Sequence, residues 1–275
     1  MTMNRYYPIL IILLLLILTD CEKTGSGSFQ NQAVVESYIV PSHKISVKIS
    51  KKVPYDSETD TSVVDINHLS VRILIEGTSY SLTPIGSGIY SDTSGAIKHE
   101  AGSAMGLWLM YNNTIVSSST IIPSKPIGIA QSETSISMKQ IDPENPMANR
   151  PPDPVEISFS NDEEDYYMLI VECIDSFKIP IYKDSVPENN IYATRPTSQS
   201  SIDIQPMLLK YFGRNRIVLC HINKEYMTFL NTQVNTTQNY QDPPTNIENG
   251  LGIFTAINTD TLFLEVYQKS KIQKK

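Results

Sequence analysis

A single thiol stands out for its setting. Cys21 comes three residues after Leu18, which closes the ten-residue apolar run Ile9–Leu18, and Arg5 precedes that run. Spanning a hydrocarbon core of about 30 Å needs about 20 apolar residues. Ten is too short for that, but it matches the hydrophobic region of a cleavable export signal with a basic start. Leu18-Thr19-Asp20-Cys21 therefore reads as a lipoprotein processing site, at which the cysteine becomes the new amino terminus and is acylated on sulfur and nitrogen. Three acyl chains at about 0.8 kcal/mol per buried methylene hold a protein to a bilayer in effect permanently. Asp20 departs from the small residue usual before such a cysteine, so an export signal cut elsewhere is the competing reading.

The other reactive side chains are scattered. Cys173 and Cys220 both lie in apolar runs; they are the candidate disulfide pair of an exported chain, or two small buried hydrophobes. His43, His68, His99 and His221 show no i, i+4 spacing of a helical zinc pair. Asp56-Ser57-Glu58-Thr59-Asp60-Thr61 alternates carboxylates as calcium loops do. An EF-hand needs Gly at its sixth position and Glu at its twelfth, where Thr61 and Asn67 stand, so a solvated loop is expected. Asp162-Glu163-Glu164-Asp165 precedes a very apolar strand and reads as a solvated, edge-guarding turn. No nucleophile elbow, phosphate loop or dinucleotide fingerprint is present, and Gly86-Ser87-Gly88 reads as a hairpin turn. No catalytic, metal or cofactor site is predicted. Fifteen tyrosines and Trp108 could offer stacking faces, although Tyr80, Tyr90, Tyr166 and Tyr167 fall in strand patterns that favour packing. Trp108 is open between exposure and a place between sheets.

The elements that carry these residues are predominantly strands. Gly and Pro number 12 and 17 and recur between short apolar runs. Val47/Ile49, Leu69/Val71/Ile73/Ile75 and Met105/Leu107/Leu109/Tyr111 alternate with polar residues, the period of half-buried strands. About seven such strands with turns between them predict an immunoglobulin-like sandwich over residues 31–124. Residues 1–20 are the signal and 21–30 a flexible linker. Residues 125–154, with five prolines between Asp142 and Pro154, read as a connector. Residues 155–268 form a β-rich second domain, with Tyr166–Cys173, Arg216–Ile222, Leu251–Ala256 and Leu262–Tyr267 as strands. It holds one amphipathic helix, 223–238, with Asn223 as N-cap and Tyr226, Phe229, Leu230, Gln233 and Val234 on one stripe. Residues 269–275 are a basic tail. The fold class is thus mainly β. A net charge of −7, unchanged when Arg5 and Asp20 leave with the signal, excludes nucleic-acid binding through a basic surface.

Several stretches in order resemble one family. They are Cys21-Glu22-Lys23, Ala33-Val34-Val35-Glu36-Ser37-Tyr38, Val53-Pro54-Tyr55, Gly77–Leu82 with Gly86–Tyr90, and Ile121-Ile122-Pro123. The most specific is Asp242-Pro243-Pro244-Thr245-Asn246-Ile247-Glu248-Asn249-Gly250-Leu251-Gly252-Ile253-Phe254, following a helix that begins near Glu225-Tyr226. Together these resemble the Bacteroidota lipoproteins catalogued as domain of unknown function 4249; Ile204–Phe212 departs from the family pattern. The resemblance implies an outer-membrane, surface-facing location and association with TonB-dependent receptors, with no enzymatic activity, no agreed ligand and no catalytic residues. Gly250, Gly252 and Phe254 are expected to form a turn and a buried strand start, with Gly250 at a backbone angle closed to other residues. The expected function is a lipid-anchored accessory to nutrient uptake. The alternative is a substrate-binding lipoprotein that captures a glycan, peptide or metal chelate.

Overall fold

The computed structural model describes residues 31–53, 65–145, 150–184, 187, 189–233 and 244–269. Cys21, the Asp56–Thr61 loop and residues 234–238 of the expected helix lie outside them.

Two sheets enclose the first core. One contains β1 (Ala33–Ile39), β2 (Ser46–Lys51), β5 (Thr83–Gly86) and β6 (Ile89–Ser91); the other contains β3 (Val71–Ile75), β4 (Thr78–Ser81), β7 (Ala104–Tyr111) and β8 (Thr114–Ile121). Their orders are β1-β2-β6-β5 and β4-β3-β7-β8. The period-two alternation does the work: Val35, Ile49, Ile73, Leu107 and Tyr90 all point into one buried cluster, while Lys48, Arg72 and Met110 point out. The chain is mainly β, as its alternation predicts.

The first core is not made by residues 31–124 alone. The last strand, β17 (Gly250–Gln268), pairs in parallel with β1 from Ala33↔Gly250 to Ile39↔Ala256 and contributes the fully buried Phe254. It then continues as the partner of β16 (Tyr211–Ile222), from Ile222↔Ile257 to Gly213↔Val266. Two strands were expected here, separated by the polar run Asn258-Thr259-Asp260-Thr261. The run stays extended because each of its residues has a register partner on β16, and ladder pairing outweighs local polarity. At about 3.3 Å per residue, the 19 residues reach up to about 60 Å.

The second core lies on one face of the continued sheet, β12 (Tyr166–Cys173), β16 and β17, with β14 (Ile191–Ala193) beyond β12 and β13 (Ile179–Pro180) along β16. A small sheet of β9 (Ala130–Gln131), β11 (Val155–Ser158) and β15 (Ser201–Ile204) covers that face. Leu169, Val171, Ile217, Leu219 and Leu264 meet Ile157 and Ile204 there. The opposite face, with Met168, Cys220 and Ile222, is covered by Tyr226, Met227 and Leu230 of helix α1 (Lys224–Gln233). Tyr226 and Leu230 are on the expected stripe; Phe229 is not in this cluster.

The stretch 125–154 is more than a connector. It contains β9 and β10 (Ser135–Met138), the latter parallel to the end of β17, and Ile136, Met138 and Ile141 are buried. Five of its six prolines fall between Pro143 and Pro154, and a four-residue strand is too short for its alternation to register beside them. Cys173 and Cys220 do not form the candidate disulfide: both are free and buried. Cys173 pairs with Asn215 and Cys220 with Met168, five registers apart along β12 and β16. That is about 17 Å at the strand rise, and the odd offset turns the thiols to opposite faces of the sheet. A disulfide requires Cα atoms within about 7 Å.

Candidate functional site

The late motif of the sequence builds a clamp. Asn246 faces Phe254 as a strand would: its Oδ1 accepts from the Phe254 N–H at 3.0 Å and its Nδ2 donates to the Phe254 carbonyl at 2.7 Å. Glu248 exchanges backbone bonds with Ser117 on β8 at 2.8 and 3.3 Å, and Asn249 Nδ2 donates to the Ile115 carbonyl. Here one expectation is corrected. The positive backbone angles belong to Asn249 (φ 56) and Gly252 (φ 99), not to Gly250. Gly250 is needed for space, since a Cβ there would stand 2.9 Å from Ile247 Cγ2 and 3.0 Å from the Ala33 carbonyl. At Gly252 a Cβ would fall 2.0 Å from the Val35 carbonyl. The motif is thus what lets β17 lie against β1 while the preceding turn crosses β8.

Between this clamp and α1 lies a cleft of about 330 Å³. Phe229, Pro244 and Ile253 form apolar walls, and Lys224 and Glu225 bring an amine and a carboxylate. Glu225 Oε1 accepts from the hydroxyls of Thr120 at 2.8 Å and Thr255 at 3.1 Å, which ties the helix start to β8 and β17. Asn223 precedes the helix as expected, and its carbonyl accepts from Tyr226 and Met227. Its side-chain Nδ2 donates outward, to Thr120 Oγ1 and the Ile121 carbonyl, both at 2.8 Å. Burial, with Tyr38 and Cys220 nearby, pushes the Tyr226 phenol up to about 12.

A second polar cluster sits where the chain passes from the first core to the second. His221 on β16 is buried and stacks on Tyr167, ring centroids 4.6 Å apart. Its Nε2 lies 3.1 Å from Asp165 Oδ2; its Nδ1 lies 2.8 Å from the Ser124 carbonyl and 3.3 Å from Ser124 Oγ. The residue types are those of a Ser–His–Asp triad, but the wiring is not. A catalytic histidine presents a lone pair to the serine hydroxyl. Here Nδ1 donates to the nearer backbone carbonyl and has none to offer. The cluster is a staple instead: Asn258 Nδ2 donates to the Pro123 carbonyl at 2.9 Å, and Lys125 pairs with Asp260 at 3.2 Å. Burial, then Asp165 and Glu163, holds the Tyr167 phenol above its ordinary range.

The remaining sequence candidates stay apart. His43 is exposed, His68 pairs with Asp65 at 2.6 Å, and His99 is buried between the carbonyls of Ile97 and Val40. The acidic run 162–165 is a turn: Asn161 bonds the Asp165 N–H and carbonyl, and Asp165 reaches His221. Among the described residues no group of three or more His, Cys, Asp or Glu could hold a metal ion. Burial pushes the Cys220 thiol up to about 12 and raises that of Cys173, so neither is an activated nucleophile. Tyr90 and Tyr167 are core residues. Trp108 is on the outer face of β7, half-buried, with the Arg72 guanidinium 5.5 Å from its ring, and Leu74, Met110 and Ile115 are exposed on that same sheet face.

No local spacing announces the staple, because Ser124 and His221 are 97 residues apart and Pro123 and Asn258 are 135 apart. The clamp lies within the late motif, but its bonds to Ser117 and Ile115 on β8 reach back more than 100 residues. Comparison with curated proteins returns no match. A protein family described as Domain of unknown function (DUF4249) matches residues 19–262. That match begins two residues before Cys21, takes in the first core, the clamp and most of the second core, and covers most of the chain: this protein belongs to the DUF4249 family.

Proposed function

We propose that this protein is a lipid-anchored, non-enzymatic accessory at the outer-membrane surface that works beside a TonB-dependent receptor in nutrient uptake. The observation that carries the anchoring is Cys21, set three residues after a ten-residue apolar run and followed by Glu22–Ser28, rich in Gly and Ser. No helix among the described residues is long and apolar enough to cross a membrane; acylation of Cys21 is the attachment proposed. A tether confines the module to a thin shell and raises its effective concentration near a membrane partner without any added contact. The non-enzymatic reading is supported by the wiring of His221 and by the inert thiols. Metabolic labelling with palmitate tests the anchor: label in the wild type and none in Cys21→Ala is the expected result. Co-purification from gently solubilised membranes tests the partner. A stoichiometric TonB-dependent receptor supports the accessory role, and an anchored protein that travels alone overturns it.

A second reading is independent capture of a small ligand. It is favoured by the cleft between α1 and the clamp, whose volume of about 330 Å³ lies within the range of small-molecule sites.

A further inference from the structure

A different concavity has the more specific chemistry. Where β1 begins, where the β7–β8 hairpin turns and where residue 249 leads into β17, three chain segments meet around a pocket of about 290 Å³. It is lined by Asn31, Gln32, Tyr111, Asn112, Thr114 and Asn249. Four of these six are carboxamides, one is a phenol and one a hydroxyl, and no charged side chain is among them.

The pocket is partly braced and partly open for bonding. Tyr111 Oη donates to Asn31 Oδ1 at 2.8 Å, and Asn249 Nδ2 donates to the Ile115 carbonyl at 2.9 Å, which fixes two of the carboxamides. Tyr111 is 2 % exposed, so this brace is anchored in the first core. The side chains of Gln32, Asn112 and Thr114 make no hydrogen bond among the described residues. Asn112 and Asn249 are held at φ 47 and φ 56 by the turns they occupy, so both carboxamides project from backbones of fixed shape.

The donor and acceptor inventory decides the class of ligand. A carboxamide gives two N–H donors and one carbonyl acceptor, and a hydroxyl gives one donor and two lone pairs. Neighbouring hydroxyls on a sugar ring need partners that both donate and accept, and the side chains of Gln32, Asn112 and Thr114 supply both. Among the described lining residues an anion finds no cation, and a metal ion finds no carboxylate, thiolate or imidazole, only neutral oxygens. The volume is at the lower end for ligand sites, the scale of one ring rather than an extended peptide. We infer that this carboxamide pocket binds a neutral sugar residue, such as a terminal hexose or N-acetylhexosamine. The inference rests on the capture reading but places the ligand in this pocket instead of the α1 cleft, and it names the ligand class; it does not depend on the receptor.

The test uses the purified full-length protein in detergent and a panel of neutral hexoses, N-acetylhexosamines, their disaccharides, glucuronate and a hexose phosphate, read by saturation-transfer NMR and calorimetric titration. Binding of at least one neutral sugar is expected, with the charged sugars no tighter. Gln32→Ala, Asn112→Gly and Thr114→Val together are expected to weaken it at least tenfold. Glycine at 112 keeps the positive φ, and an unchanged melting temperature confirms that the turn is intact. Phe229→Ala, in the α1 cleft, should leave sugar affinity unchanged. Sugar binding that is lost with Phe229→Ala and kept in the triple variant overturns this site while capture stands. No binding by any sugar up to millimolar concentration, or tighter binding of the charged ones, overturns the neutral-sugar inference itself.

Discussion

At the residue scale the structure depends on a few positions that no general rule about β proteins would single out. Gly252 combines φ 99 with an approach that would put a Cβ 2.0 Å from the Val35 carbonyl. Gly252→Ala must therefore move β17 off β1, and a loss of about 3 kcal/mol or more is expected in a denaturant titration, in the range of strained and overpacked sites. Asn246→Ala removes both bonds to Phe254 and leaves a backbone pair to find water; about 2–3 kcal/mol follows from unmade buried bonds. Asp92 provides a pH-dependent counterpart. Burial works to raise its carboxyl, but the Ser94 hydroxyl and the N–H groups of Ile97, Ala96 and Gly95 outweigh burial and hold it below the ordinary range. A depressed carboxyl stabilises the fold above its unfolded value of about 3.9 and loses that contribution as pH falls through the folded value. The stability gap between wild type and Asp92→Asn should therefore be full at pH 7 and close progressively below about pH 4, as thermal melts across that interval would record.

At the element scale β12 and β16 explain why the thiols are quiet. Opposite faces and a five-register offset keep Cys173 and Cys220 apart, and both are buried. In native protein neither should react with a thiol reagent over minutes. After unfolding without reductant both should alkylate, which mass spectrometry of the peptides would show; a cross-linked peptide would contradict the register. The two apolar strand runs and their free or paired thiols were legible as alternatives from sequence. The choice between them was not, because side-chain facing is set by the partner strand. The same holds for Trp108: its strand was evident, but only the pairing Arg72↔Trp108 places it on the outer face.

On the scale of the whole molecule, β17 is the part that makes two cores into one structure. Its first seven residues complete the sheet that starts at Ala33, and its later residues complete the sheet of β12 and β16. The staple at Ser124, His221, Asn258 and Lys125 fixes the chain where it crosses. A fragment of residues 31–124 lacks Phe254 and the strand beside β1, and it should fail to give a cooperative melt. The full chain should unfold in one calorimetric transition, with van't Hoff and calorimetric enthalpies equal within error; two resolved transitions would mean that the cores are independent.

Period-two alternation and turn residues are local properties, and so the sequence by itself determined the mainly β class, most strand positions and the start of the helix; the context of Cys21 is local too and proposes an anchor. The late Asn-Ile-Glu-Asn-Gly-Leu-Gly-Ile-Phe run was recognisable as a motif, yet its purpose and the glycine that carries the strained angle were not. Only the tertiary structure decided that one strand serves both cores, that residues 130–138 join sheets, that His221 bonds backbone rather than poising a serine, and that six neutral side chains from three segments share a pocket. The reason is physical: each is a contact across tens of residues or more, settled by which backbones lie side by side, and no local pattern records that.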